Sequence, residues 1–205
     1  MVARHYPAPH RFICVTSTPA GIDPSVEIIP DRADFADVPS PHGARMPSCY
    51  RRLRLFEPDA AETSGERIVS LDLDCVITGD LRPVWDRPED FIIWRDPIQR
   101  DGYCGSMFAL RAGSRPQVWR QFDPVLSPQE SLAAGHRGSD QGWIRYCLGP
   151  HEATWGRADG VYSYRRDLAG GAKPLPADAR IVMFHGRRKP WDEAGRIDWI
   201  RQHWN

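Results

Sequence analysis

The 205-residue chain carries no net charge, because 27 Lys and Arg are balanced by 27 Asp and Glu. A balanced chain exerts no general pull on nucleic acid or an anionic membrane, so any cationic binding surface has to be local. No apolar run approaches the ~18 residues that a membrane span requires. The first eleven residues hold Pro7 and Pro9 and lack the apolar stretch of a secretory signal. Lysine is nearly missing, with only Lys173 and Lys189. The five cysteines (Cys14, Cys49, Cys75, Cys104 and Cys147) are odd in number and show no C-x-x-C spacing. That argues against a disulfide framework or a zinc site and for buried free thiols in a reducing cytoplasm. Internal repeats, low-complexity tracts and a domain linker are likewise missing. The length and the ordinary 41% hydrophobic content fit a single domain, 1–205, with a sizeable core.

What is present reads as strands alternating with helices, an α/β layer with a mostly parallel sheet. Strands are expected at residues 11–16, 26–29, 91–94, 103–110, 161–164 and 180–184. Helices are expected at 48–56, with Ser48 as cap and Tyr50, Leu53 and Phe56 on one face, and near 81–85, 116–122, 141–148 and 197–204. The aromatic last helix is expected to dock onto the body.

The chemistry concentrates at Asp72-Leu73-Asp74, where the apolar strand that starts at Arg67 ends. Side chains two apart on a strand share a face, so both carboxylates could reach one divalent cation. Hard oxygen ligands suit Mg²⁺ or Mn²⁺, ions that keep positions open for substrate phosphates. The motif alone also fits a solvated strand end, or the Asp-x-Asp of a haloacid-dehalogenase-type phosphatase, with Asp72 as nucleophile and Asp74 as general acid.

Other segments bear on that choice. The expected strand 180–184 runs into His185-Gly186-Arg187-Arg188-Lys189-Pro190-Trp191, an imidazole and three consecutive cations suited to a metal and a diphosphate. Arg52 lies on the helix before the acidic strand and could fork onto a phosphate or a sugar. Gly138-Ser139-Asp140-Gln141 precedes a helix, so Ser139 or Asp140 could serve as its cap, or Asp140 could accept from sugar hydroxyls. Gly105 and Ser106 put small residues where a ligand could approach the backbone.

Taken in order, Tyr50-x-Arg52-Leu53, the strand 68–74, Gly105-Ser106-Met107, Asp140-Gln141 and His185 with Lys189-Pro190-Trp191 resemble the family 8 glycosyltransferases of the glycogenin and galactosyltransferase type. The resemblance spans 10–191. It implies a GT-A fold and transfer of a hexose, with retention, from a nucleotide sugar (UDP-hexose foremost) to a hydroxyl acceptor. It implies that Asp72, Asp74 and His185 hold Mn²⁺ (or Mg²⁺), and that Asp72 also lies near the donor. Arg52 and Lys189 would touch the donor, Lys189 at its diphosphate, with Gly105, Ser106 and Gly186 lining the site. Asp140 and Gln141 would flank the transferred sugar.

Two departures accompany the resemblance. The turn between His185 and Lys189 is short, with Gly186 directly after the histidine. The family also places a strand and helix ahead of the segment matching 10–17, and here only a few residues precede it. The expectation is a sheet without its first βα unit, whose unpaired edge favours a homodimer. A non-catalytic binding module of the same fold is the alternative to an active enzyme. The phosphatase reading expects its nucleophile on the first strand, followed by a lysine and an acidic pair; here the motif falls at residue 72, only Lys173 and Lys189 exist, and no convincing acidic pair follows.

Overall fold

The computed structural model describes every residue except Ala44, Arg100 and Asn205. Its strands, among the described residues, are β1 (Ile13–Thr16), β2 (Glu27–Pro30), β3 (Arg67–Leu71), β4 (Cys75–Ile77), β5 (Phe91–Arg95), β6 (Tyr103–Arg111), β7 (Ala153–Trp155), β8 (Val161–Ser163) and β9 (Ile181–Met183). The helices are α1 (Val2–His5), α2 (Ala61–Ser64), α3 (Arg82–Trp85), α4 (Gln117–Arg120), α5 (Leu126–Ala133), α6 (Asp140–Leu148), α7 (Pro190–Glu193) and α8 (Asp198–His203).

The strands fall into three sheets, ordered β1-β2, β3-β6-β5-β7 and β4-β9-β8. Pairings β1/β2, β5/β7 and β8/β9 are parallel; β3/β6, β5/β6 and β4/β9 are antiparallel. The α/β architecture is thus mixed, because β6 runs against both of its neighbours.

Side-chain alternation explains why the apolar runs are continuous. On β5, Phe91 and Ile93 face one core cluster and Ile92 and Trp94 another. On β6, Phe108 and Leu110 join the first cluster, and Met107 and Ala109 the second. A strand covered on both faces needs apolar residues at every position. The second cluster also takes Cys75, Ile77, Ile181 and Met183, so it welds the four-stranded sheet to the three-stranded one. Val76 and Val182 turn the other way, onto Tyr164, Phe184 and Ile200 of α8. The last helix therefore docks onto the body, as its aromatics suggested. No helix among the described residues is long and apolar enough to cross a membrane. All five cysteines are free thiols.

The expected helix over 48–56 is present as a 3-10 helix (Cys49–Phe56) with Ser48 at its cap position. Its buried residues Tyr50, Leu53 and Phe56 recur every three positions, and side chains three apart eclipse on a helix of three residues per turn. The run that begins at Arg67 is not one strand through Asp74. The chain leaves β3 at Leu71, bends across 72–74, and enters a different sheet as β4. The two-residue strand period therefore does not govern Asp72 and Asp74.

Candidate active site

The site is built on an irregularity in β6. Ile93 pairs with Phe108 but the next residue, Trp94, pairs with Cys104, so residues 105–107 have no partner on β5. A bulge of this kind frees backbone groups to be claimed from elsewhere. The Gly105 N–H donates to Gln141 Oε1 at 3.1 Å, and its carbonyl accepts from Arg52 Nη1. A Cβ at this position would lie 3.3 Å from Asp140 Oδ2 and 3.5 Å from Arg52 Nη1. Glycine here keeps the strand backbone within reach of three side chains.

Arg52 is the hub. Its Nη2 donates to Asp72 Oδ1 at 2.5 Å, and its Nε lies 3.9 Å from Asp140 Oδ2. Burial opposes its charge, but Asp72 and Asp140 outweigh that and lift its pKa above the ordinary value. Asp140, at the first turn of α6, is 6% exposed. Burial pushes its carboxyl up, and Arg52 and the Cys49 thiol pull against that rise. Cys49 itself is pushed to about 12, by burial first and then by the adjacent Asp140. Ser139 holds the cap position of α6 without a side-chain bond, and its buried hydroxyl has no partner. The Asp72 N–H donates to the Ser106 carbonyl at 2.8 Å, tying the bend 72–74 to the bulge.

A second group starts two residues later. Asp74 Oδ2 accepts from Lys189 Nζ, and the Asp74 carbonyl accepts from Phe184 N–H at 2.8 Å, which sets His185 beside the bend. His185 Nε2 is 2.6 Å from Ser163 Oγ, and its ring lies 5.7 Å from that of Trp94. Burial lowers the His185 pKa; Asp96 opposes this, while Arg165, Arg137 and Arg166 reinforce it. Gly186 follows with φ of 106°, a left-handed conformation that lets the chain turn at once toward Lys189. The short turn does not stop Lys189 from reaching the acidic pair.

The sequence-derived residues are thus brought together as two linked clusters. Arg52, Asp72, Gly105, Asp140 and Gln141 form one, with Ser106 contributing its carbonyl. Asp74, His185, Gly186 and Lys189 form the other. No three His, Cys, Asp or Glu side chains among the described residues stand together as a metal-binding group. Each carboxylate of the pair is instead held by a cation, Arg52 on Asp72 and Lys189 on Asp74. That pairing also leaves the phosphatase reading without a free nucleophile or a free acid.

Cys49 and Ser163 were missed by the sequence reading. Ser163 carried a signal, as the one small hydroxyl in an otherwise apolar and aromatic strand, where a buried polar group needs a partner. It is fully buried, accepts the Arg166 N–H at 3.0 Å and faces His185.

With this geometry in place, comparison defines the class of fold. No family model matches the chain, and no curated protein matches it by sequence. Solved structures do. Galactosyltransferase LgtC in complex with donor and acceptor sugar analogues superposes with a TM-score of 0.60 at 15% identity, over 93% of this chain and 81% of that one. An active-site mutant of LgtC gives 0.62 at 15%, over 98% and 86%. Glycosyltransferase GlyE of Streptococcus pneumoniae TIGR4 gives 0.52 at 14%, over 87% of this chain and 49% of that one. The chain has the GT-A-like glycosyltransferase fold.

Proposed function

We infer that this protein transfers a hexose from a nucleoside-diphosphate sugar to a hydroxyl acceptor, with retention of configuration and with Mn²⁺ or Mg²⁺ bound at Asp72, Asp74 and His185. The carrying observation is the convergence of Arg52, Asp72, Asp140 and Gln141 on the bulge at Gly105, joined through 72–74 to Asp74, His185 and Lys189. Two carboxylates and an imidazole are donor types that a divalent ion takes, and the three side chains, which do not stand together as a metal-binding group among the described residues, would have to close around it. Arg52 and Lys189 now supply the positive charge that such an ion would bring. A bound ion would neutralise the diphosphate and ease departure of the nucleotide.

The chain's own groups have separate tasks in this reading. Lys189 exchanges Asp74 for the donor diphosphate, where a mobile ammonium suits a spread of negative charge. Arg52, pinned by Asp72 and the Gly105 carbonyl, keeps its planar fork pointed at the bulge. Asp140 and Gln141 accept from and donate to sugar hydroxyls beside Gly105, and the buried position of Asp140 strengthens each such bond.

The test is thermal melting with MnCl₂ and UDP-glucose or UDP-galactose, alongside assay for UDP release. A rise in melting temperature that requires both metal and nucleotide, and is lost in Asp74→Ala, supports the reading. A chain that binds neither, with its fold intact, has the alternative role of a non-catalytic module. The pairing of both carboxylates with resident cations favours that second reading.

A further inference from the structure

We propose that the hydroxyl acceptor is a phosphorylated saccharide, and that Arg165 and Arg166, with Arg187 beside them, hold its phosphate next to His185. The proposal rests on the sugar-transfer reading and adds to it the substrate class on the acceptor side.

The chain is neutral overall, so an excess of one sign has to find its reason locally. Such an excess surrounds His185. Arg165 and Arg166 follow β8 closely, in a turn where the Ser163 hydroxyl accepts the Arg166 N–H at 3.0 Å. The same hydroxyl lies 2.6 Å from His185 Nε2. Arg165 Nη1 is 3.9 Å from where a Cβ on Gly186 would stand, so it reaches the turn after the histidine. Arg137 enters from the segment ahead of α6, with Nη2 3.9 Å from Asp96 Oδ2. The charges of Arg165, Arg137 and Arg166 are all felt at the imidazole. Arg187 is carried on the turn itself and is exposed.

The carboxylates nearby are already engaged. Asp96 accepts the N–H groups of Ile98 and Gln99 and faces Arg137. Asp167 accepts the Ser163 N–H and pairs with Arg157, and Glu193 accepts from Tyr164 and faces Arg188. Of the three consecutive cations on the turn, Arg188 donates to the Gly170 carbonyl and Lys189 to Asp74. The guanidiniums of Arg165, Arg166 and Arg187 are left with no side-chain hydrogen bond or ion pair among the described residues.

The donor does not need them. A divalent ion matches the charge of the diphosphate, while Arg52 offsets Asp72 and Lys189 offsets Asp74. Further positive charges gathered around one half-buried imidazole repel one another, and an added anion relieves that repulsion. A guanidinium fork takes a phosphate through two parallel hydrogen bonds, so adjacent forks suit a compact phosphate ester. A lipid surface calls for charges spread over a face, and here they gather at one point.

The test is calorimetry on the full chain with the monophosphates of glucose, galactose and N-acetylglucosamine, without metal or nucleotide. At least one should bind, and free glucose and inorganic phosphate should each bind about tenfold or more weakly by comparison. Arg165→Gln with Arg166→Gln changes exposed side chains that hold nothing else, so the double variant should fold. It should bind the sugar phosphate at least about tenfold more weakly, yet keep the wild-type rise in melting temperature with MnCl₂ and UDP. No sugar phosphate bound by a folded wild type overturns the proposal, as does inorganic phosphate binding as tightly as the esters. Loss of the MnCl₂ and UDP response in the double variant overturns it by assigning the arginines to the donor. Binding to phosphatidylglycerol vesicles, with none to the sugar phosphates, overturns it in favour of a lipid surface. A wild type that takes the sugar phosphate but ignores MnCl₂ and UDP overturns sugar transfer and keeps the phosphate site, so the two readings fail separately.

Discussion

Replacing Arg52 with Met tests whether one side chain holds the candidate site together. Arg52 is 30% exposed and its partners Asp72 and Asp140 are 27% and 9% exposed, so the cluster lies between a surface ion pair and a fully buried one. Surface pairs are worth about 0–1 kcal/mol, and breaking a buried one costs about 3–5. Discounting for the exposed side, loss of the Asp72 pair should cost about 1 kcal/mol. Orphaning the Gly105 carbonyl and leaving Asp140 without its counter-charge should add about 1 kcal/mol each. The sum, about 3 kcal/mol, corresponds in a chain of this size to a fall in melting temperature of about 6–12 °C.

The pH dependence separates charge from packing. Burial raises the Asp140 pKa and Arg52 opposes the rise, so Met at position 52 lets it climb further. Arg52 stabilises Asp140 only while Asp140 is ionised. The gap between wild type and variant must therefore narrow as pH falls through the raised Asp140 pKa and widen above it. The assay is urea unfolding followed by tryptophan fluorescence between pH 4.5 and 8, with Arg52→Met, Asp140→Asn and the double variant forming a cycle. A penalty that does not change with pH, or a double variant whose losses simply add, would refute the coupling.

Three further outcomes follow. Gly142→Ala should destabilise by about 1–3 kcal/mol despite alanine's helix preference, because the new Cβ would sit 1.8 Å from the Arg137 carbonyl; thermal melting reads this directly. Lys189→Met, which frees Asp74 from its cation, should tighten Mn²⁺ binding in the absence of nucleotide and weaken retention of UDP; calorimetry with each ligand alone distinguishes the two. His5, His136, His185 and His203 are all held below the ordinary histidine value, chiefly by burial. The unfolded chain then binds more protons than the folded one, so stability should fall as pH drops below about 6.5 and hold steady above it. A melting temperature that stays level from pH 8 to 5.5 would contradict this.

Much of the scaffold was legible in the sequence because β5 and β6 are buried on both faces and must be apolar throughout. Short elements were legible where apolar runs marked them, as at α3, β8 and β9, and others were not. Helices of four residues such as α1 and α2 complete barely one turn and leave no periodicity to read. The α5 helix hides behind Pro128, which sits in its first turn, where no helical N–H is needed. β7 has only three residues. At the site, the ordered motifs and the resemblance they carry singled out Arg52, Asp140 and Gln141, which the fold brings together at Gly105 and, through Arg52, against Asp72. The sequence could not show that the chain bends between Asp72 and Asp74 and divides them between Arg52 and Lys189. That division depends on which sheet each flanking strand joins, a matter of long-range pairing.

The bulge at 105–107 has a consequence for folding as well as for ligands. A two-stranded pairing as apolar as β5 with β6 could slide by one or two residues and still bury its side chains somewhere. Here a slide would strip the Gly105 amide from Gln141 and its carbonyl from Arg52, two side chains arriving from other parts of the chain. Register is thus pinned by the same residues that build the candidate site. Substitutions at Arg52 or Gln141 should therefore lower the yield of soluble protein in expression trials, while the fraction that folds keeps the register.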